Sequence, residues 1–253
     1  MLLTIDIGNS TVKFGVFDRK NLVNKFLIPT VRHQTGDEIL SLVKPNLPEK
    51  VSAVAVSSVV PELKNSIENL SKKCFGVAPF FITHDFDIGL KVNYNPPENL
   101  GIDRLVAAFA AKEKYGMPAI VCDFGTATTI DAVNSNGEFV GGVIVAGMNL
   151  LADALFQKTS KLPKIEIKKA EKVIACSTDD AINAGIYFGY IGLTDGIIKR
   201  MIGELNEKPK VVATGGLAQI ISDGSEFIEI YDENLMLDGL RLIYERISRK
   251  SKT

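Results

Sequence analysis

Residues 2–29 alternate between apolar and polar positions in a way that predicts three strands and two turns. LLTI runs into Asp6, VKFGVF follows it, and a polar turn at Asp18 to Asn21 leads into LVNKFLIP. The same pattern returns a hundred residues later, where PAIVC reaches Asp123, TTIDAV follows, and the polar turn Asn134 to Gly137 leads into EFVGGVIV. Superposing Asp6 on Asp123 also aligns Gly8 with Gly125 and Thr11 with Thr128, so DIGNST and DFGTAT share the form DxGxxT. Matched approaches, turns and motif predict an internal duplication.

Each copy continues into α/β material. After the first come a helix at 36–46, the apolar strand VSAVAVSSVV, a helix from Pro61 to about Lys73 and the short strand FFIT. After the second come a helix near 148–158, a long one from Asp179 to Leu205, the strand KVVAT and a closing helix at 235–248. The segment 99–115 reads as a helix, so the copies divide near Gly116 into domains at 1–116 and 117–253. Two related α/β domains would form a cleft, with both strand-end carboxylates turned into it.

The bulk properties narrow the partners. A chain of 253 residues with 29 basic and 30 acidic side chains carries a net charge of -1, which gives no field to gather nucleic acid or an anionic membrane. The N-terminus begins directly with a strand pattern, so no signal peptide is expected, and no apolar run approaches the length of a membrane span. Cys74, Cys122 and Cys176 form no CxxC and are odd in number, which points to a reducing, cytoplasmic setting. The two histidines, His33 and His84, sit near no metal-ligand set or nucleophile motif, so histidine-centred catalysis is not expected. The basic run from Arg246 to Lys252, ending in KSKT, reads as a solvated helix end.

The DxG turns carry the chemistry. Neither GxxxxGK[ST] nor GxGxxG occurs, yet a tight glycine turn lets backbone N–H groups approach a phosphate, and Asn9, Ser10 and Thr11 add small donors. Lys13 can place a point charge nearby. A bare carboxylate would repel phosphate, so an Asp in each turn implies a mediating cation, Mg2+ or its waters, and hence a nucleoside triphosphate with metal. A third glycine cluster, VVATGGLAQI at 211–220, joins a strand to a helix through Gly215 and Gly216, where a flat ring could lie on backbone.

In this order, Asp6-Gly8-Ser10, Asp123-Gly125-Thr126 and Ala213-Thr214-Gly215-Gly216 resemble the two phosphate motifs and the adenosine motif of the acetate and sugar kinase, heat-shock chaperone and actin superfamily. YNPPENLGIDRLVAA at 94–108, GGVIVAG at 141–147 and STDDAINAG at 177–185 narrow the likeness, over nearly the whole chain, to type III pantothenate kinases. The resemblance implies two duplicated ribonuclease H-like, actin-like ATPase domains with a nucleotide cleft. It implies phosphorylation of pantothenate to 4'-phosphopantothenate, the first step of coenzyme A biosynthesis, by a homodimer with its substrate pocket close to the subunit interface. By the same likeness, Asp6, Ile7, Gly8, Asn9, Ser10, Thr11, Val12 and Lys13 form the ATP phosphate segment and Thr126 also contacts ATP. Asp123 ligates a monovalent cation, K+ or NH4+. Tyr94, Gly101, Ile102, Asp103, Arg104 and Thr178 bind pantothenate, and Asp103 accepts the proton of its primary hydroxyl. The chain departs from the family pattern at Ser10, where Thr is usual, at Ala146, where Pro is usual, and at Ala175 and Cys176, where Gly and a polar or basic residue are usual.

Residue chemistry alone agrees on the acceptor side. Asn99 to Gly101 read as a helix entry, so Asp103 lies in the first turn, where the dipole favours negative charge. Arg104 beside it is a fork for a carboxylate or a phosphoryl oxygen. Two other readings stand beside the kinase: a nucleotide-binding regulatory or interaction protein of the same fold, and a kinase for another small acid or sugar. A binder without chemistry has no use for an acceptor-side base, and no long sugar-binding insertion is present.

Overall fold

The computed structural model describes residues 1–250. In chain order its first elements are β1 (Leu2–Ile7), β2 (Thr11–Asp18), β3 (Asn21–Pro29), α1 (Gly36–Val43), β4 (Ala53–Ser58), α2 (Lys64–Phe75), β5 (Phe80–Phe81), β6 (Lys91–Val92) and α3 (Ile102–Tyr115). There follow β7 (Ala119–Phe124), β8 (Ala127–Val133), β9 (Glu138–Ala146), α4 (Met148–Lys158), α5 (Thr178–Leu205), β10 (Lys210–Thr214), α6 (Ala218–Ser222), β11 (Ile230–Tyr231) and α7 (Leu235–Lys250). They form two compact units that are not contiguous in sequence. The first holds Met1–Leu90, Tyr94–Ala110 and the chain from Asn234 onward; the second holds Lys91–Asn93 and Ala111–Glu233.

In the first unit the sheet order is β3-β2-β1-β4-β5. β1 runs antiparallel to β2 and parallel to β4. It reads as an almost unbroken apolar run because it lies in the sheet interior with both faces covered, and Leu3, Ile5 and Ile7 are fully buried. α1 begins with a capping box, in which the Thr35 hydroxyl accepts from Glu38 N and Glu38 Oε2 accepts from Thr35 N at 2.7 Å. α7 packs on β1, β2 and β4 and buries Leu235, Met236, Leu237, Leu240 and Ile243. Its basic end is solvent-exposed, as the sequence reads, and Lys250 Nζ donates to the exposed Asp87 Oδ2 at 2.6 Å. The remainder of KSKT, residues 251–253, lies outside the described residues.

In the second unit the order is β11-β10-β7-β8-β9-β6. With β6 set aside, it repeats the first sheet strand for strand: β7 stands for β1, β8 for β2, β9 for β3, β10 for β4 and β11 for β5. The directions repeat too, with β7 antiparallel to β8 and parallel to β10. Each second hairpin is interrupted at the same place, between Val16 and Phe17 in one sheet and between Ala132 and Val133 in the other. The duplication read from the pattern is therefore present in topology and in irregularity.

The register corrects one alignment. Ile7 pairs with Val12, whereas Phe124 pairs with Thr128. The first turn spends Gly8, Asn9 and Ser10 between its strands and the second only Gly125 and Thr126. Thr128 therefore matches Val12 rather than Thr11, and the shared motif ends at the glycine.

Candidate functional site

The first turn is built by β1 and locked by the end of β3. Gly8 N donates to Thr11 O at 3.0 Å, Thr30 N donates to Ser10 O at 2.9 Å, and the Thr30 hydroxyl donates to Gly8 O at 2.7 Å. Asn9 and Ser10 stay exposed at its tip, and Thr11 is half-buried at the start of β2. Ile7 and Val12 are buried beneath the turn. Asp6, by contrast, is 7 % exposed. It lies in a row across three strands, with Lys13 opposite on β2 and Ser57 opposite on β4. Paired residues of adjacent strands project to the same face, so all three side chains share one side of the sheet end. Ser57 is wholly buried, and its Oγ has no hydrogen-bond partner among the described residues. A buried carboxylate beside an orphaned hydroxyl is an all-oxygen donor set, which fits a hydrated hard cation such as Mg2+.

The stretch from Tyr94 to Arg104 lies in the same unit. A turn of 3-10 helix at Pro97–Asn99 delivers buried Leu100. The Leu100 carbonyl is 2.6 Å from His84 Nε2, the distance of an Nε2–H donating to it. Leu105 N then donates to Gly101 O at 3.1 Å, which opens α3 as the sequence predicts, and Ile102 is buried under its first turn. Asp103 Oδ1 accepts from Arg104 N at 2.8 Å, while Oδ2 takes no hydrogen bond among the described residues. A Cβ on Gly101 would collide with Asp103 Oδ1, so the carboxylate occupies the space a side chain there would need. Arg104 is 5 % exposed, not a solvent-facing neighbour, and its guanidinium lies 5.6 Å from the Tyr94 ring centroid. Tyr94, Gly101, Ile102, Asp103 and Arg104 are thus one cluster.

In the second unit Asp123 ends β7 as Asp6 ends β1. Thr214 of β10 pairs with it, and Gly215 follows at φ +101, a backbone conformation open to glycine. A Cβ at Gly215 would stand 2.5 Å from Asp123 Oδ1 and 2.6 Å from Phe124 N, so the DFG and TGG turns are in contact. Behind Thr126, Gly147 N donates to Thr126 O at 3.1 Å. The neighbouring Ala146 carbonyl accepts from the Tyr190 hydroxyl at 2.7 Å, which ties the turn to α5. Cys122, beneath Asp123, is fully buried; burial first, then the carboxylates of Asp131, Asp123 and Asp195, push its thiol up and leave it un-ionised.

Thr178 is the exposed first residue of α5, after the Ser177 cap whose hydroxyl accepts from Asp180 N at 3.2 Å. Twelve residues separate it from Tyr190, about 18 Å along the helix axis. Hydrogen bonds from Thr30, His84 and Tyr190 hold the turns, yet sequence reasoning set His84 aside and passed over the other two. Their partners are backbone carbonyls, which leave no motif.

Two mixed sheets of one topology, each ending its first strand in Asp before a glycine turn, define the duplicated ribonuclease H-like fold of the actin-like ATPases. Solved structures agree on that fold. The chain is similar to a Clostridium difficile activator of 2-hydroxyisocaproyl-CoA dehydratase with bound ADPNP (12 % identity, TM-score 0.52, covering 100 % of this chain and 97 % of that one). It is also similar to a ROK family glucokinase from Streptomyces griseus in complex with glucose and AMPPNP (12 %, TM-score 0.55, 96 % and 98 %). A Campylobacter jejuni chain, provisionally named a Baf family transcriptional activator, gives 22 % and a TM-score of 0.61 over 98 % and 99 %.

The sequence signature of type III pantothenate kinase matches residues 2–200. Curated type III pantothenate kinases from Geotalea uraniireducens and Halalkalibacterium halodurans are 43 % and 41 % identical over 252 residues, covering 97 % of this chain and 98 % and 99 % of theirs. The chain belongs to the type III pantothenate kinase family, and it is an enzyme, a nucleotide-binding kinase that uses ATP. None of its described helices is long and apolar enough to cross a membrane.

Proposed function

We propose that the protein transfers the γ-phosphoryl group of ATP to the primary hydroxyl of pantothenate, giving 4'-phosphopantothenate and ADP at the entry to coenzyme A biosynthesis. Family membership over nearly the whole chain carries this reading. The clustered Tyr94, Gly101, Ile102, Asp103 and Arg104 support it, because a binder without chemistry needs no acceptor-side base.

In this reading Asp6 to Lys13 and Thr126 receive ATP through backbone N–H groups, hydroxyls and the Lys13 ammonium. Mg2+ fits at Asp6 and K+ or NH4+ at Asp123. A bound divalent ion supplies charge neutralisation of the phosphates. Asp103 Oδ2 accepts the hydroxyl proton of pantothenate as its oxygen bonds to the γ-phosphorus and the bond to ADP breaks. Phosphoryl transfer has a loose transition state, so proton acceptance comes late and a carboxylate of low basicity suffices. Arg104, desolvated and fixed against Tyr94, pairs with an anionic group, either the pantothenate carboxylate or the transferring phosphoryl oxygens. Thr178 adds a hydroxyl on the acceptor side. We further propose a cytoplasmic homodimer, a location that suits three cysteines without a disulfide.

Incubation with ATP, Mg2+, K+ and pantothenate should yield ADP and phosphopantothenate in equal amounts. Absence of turnover with both K+ and NH4+ tested overturns the assignment.

A further inference from the structure

β4 ends in two serines with opposite circumstances. The Ser58 hydroxyl is engaged in its own turn, donating to Val60 O and accepting from Val60 N, both at 3.1 Å. Ser57 is 0 % exposed and its Oγ has no partner among the described residues. Burying a hydroxyl without a hydrogen bond costs about 1–3 kcal/mol, so an orphan beside a strand-end carboxylate needs a reason. Its register supplies one, because Ser57 pairs with Asp6 itself.

The duplicated sheet repeats the pairing, although not the orphaned state of the hydroxyl. Thr214 of β10 holds the place of Ser57 and pairs with Asp123, and it is 1 % exposed. Each strand-end Asp therefore has a buried hydroxyl beside it on the parallel neighbour, although the residue types differ and the turns that follow have different lengths. A packing requirement alone would be met by Ala, which β4 already carries at Ala53 and Ala55.

We propose that Ser57 is a positioning residue of the nucleotide–metal site, its Oγ hydrogen-bonding the water shell of the divalent cation that Asp6 receives. This rests on the reading of Asp6 as the metal and phosphate organiser. Ser57 meets neither pantothenate nor the transferred phosphoryl group; it orients the hydrated cation and so sets how tightly the metal–nucleotide complex is held.

The test is calorimetric titration of ATP into wild-type protein, Ser57→Ala and Ser57→Thr, with excess Mg2+ and again in EDTA, alongside thermal unfolding without nucleotide. Ser57→Ala should bind ATP with Mg2+ about tenfold more weakly, the loss of one hydrogen bond to a charged group. Its affinity in EDTA should be unchanged, and so should its melting temperature without nucleotide, which removal of an orphan hydroxyl can also raise. Ser57→Thr, which keeps the hydroxyl and follows the residue at Thr214, should recover the Mg2+-dependent affinity. The proposal is overturned if Ser57→Ala binds the Mg2+ complex like wild type, if both variants are equally impaired, or if Ser57→Ala lowers the melting temperature without nucleotide, which would make the hydroxyl structural. Wild-type turnover of pantothenate is read separately. A protein that binds ATP with Mg2+ yet phosphorylates no pantothenate sinks the assigned function and leaves this test standing.

Discussion

Asp103 shows what a single carboxylate gains from its neighbours. One oxygen is held by the Arg104 backbone N–H while the other takes no hydrogen bond among the described residues, so the group is oriented by one contact. Replacing it with Asn keeps size and the oriented contact but removes the acceptor lone pair. We expect Asp103→Asn to bind ATP normally and to lose about 100-fold or more in kcat. Near-normal turnover would remove Asp103 from the mechanism. The thiols give a second residue-scale prediction. Cys176 is exposed, whereas Cys122 is buried with its ionisation pushed up. A thiol reagent at pH 8 should label Cys176 at once and Cys122 only after unfolding; fast labelling of Cys122 would contradict its environment. The placement of Asp103 in the first turn of α3 was legible because a helix entry is local in sequence. That of Ser57 was not, since VSAVAVSSVV reads as a uniform strand and only the register with β1 sets one of its serines beside Asp6.

At the scale of elements, the hairpins were legible and the turns between them were not. Alternation fixed β1, β2, β7 and β8 to within a residue or so. The one-residue difference between the turns is invisible to it, because Thr11 and Thr128 align in the letters and separate only in the ladder. Short β6 and β11 carry two residues each, too few for any period. The TGG turn is where an element's geometry and the site depend most on one position. Gly215 adopts φ +101 with its face against Asp123 and Phe124, whereas a Cβ at Gly216 would meet nothing within 4 Å. Gly215→Ala should cost about 1–3 kcal/mol in strain. In a protein of this size that is a fall of about 3–10 °C in melting temperature. It should also weaken ATP binding by shifting the Asp123 carboxylate. Gly216→Ala is the control, expected to stay within about 0.5 kcal/mol of wild type. Equal effects at the two positions would refute the close approach as the cause.

The whole molecule is a duplication whose two compact units share one connection pattern but not one continuous stretch of chain. Order along the sequence says nothing about which sheet a terminal helix covers. The α7 pattern, with its buried positions at Leu237, Leu240 and Ile243, predicts an amphipathic helix and leaves the choice of partner open. Its partner is the first sheet, where Leu237 lies against Gly15 of β2: a Cβ there would be 3.1 Å from Leu237 Cδ1. Five apolar side chains of α7 are buried, Leu235, Met236, Leu237, Leu240 and Ile243. At about 1.5–3 kcal/mol each they contribute roughly 8–15 kcal/mol before ordering entropy is counted. That is the size of a typical net stability of about 5–15 kcal/mol, so the first unit cannot spare the helix. In a chain ending at Glu233 the first unit should therefore lose its ordered sheet and expose apolar surface, although every residue proposed for nucleotide and acceptor binding is retained and the second unit is left whole. Dye binding and circular dichroism would report this directly. A truncated chain that keeps the circular dichroism of the first unit, binds no dye and melts near the wild-type temperature would mean that α7 is dispensable to the sheet it covers, and that the first unit holds its Asp6 and Asp103 clusters in place without it.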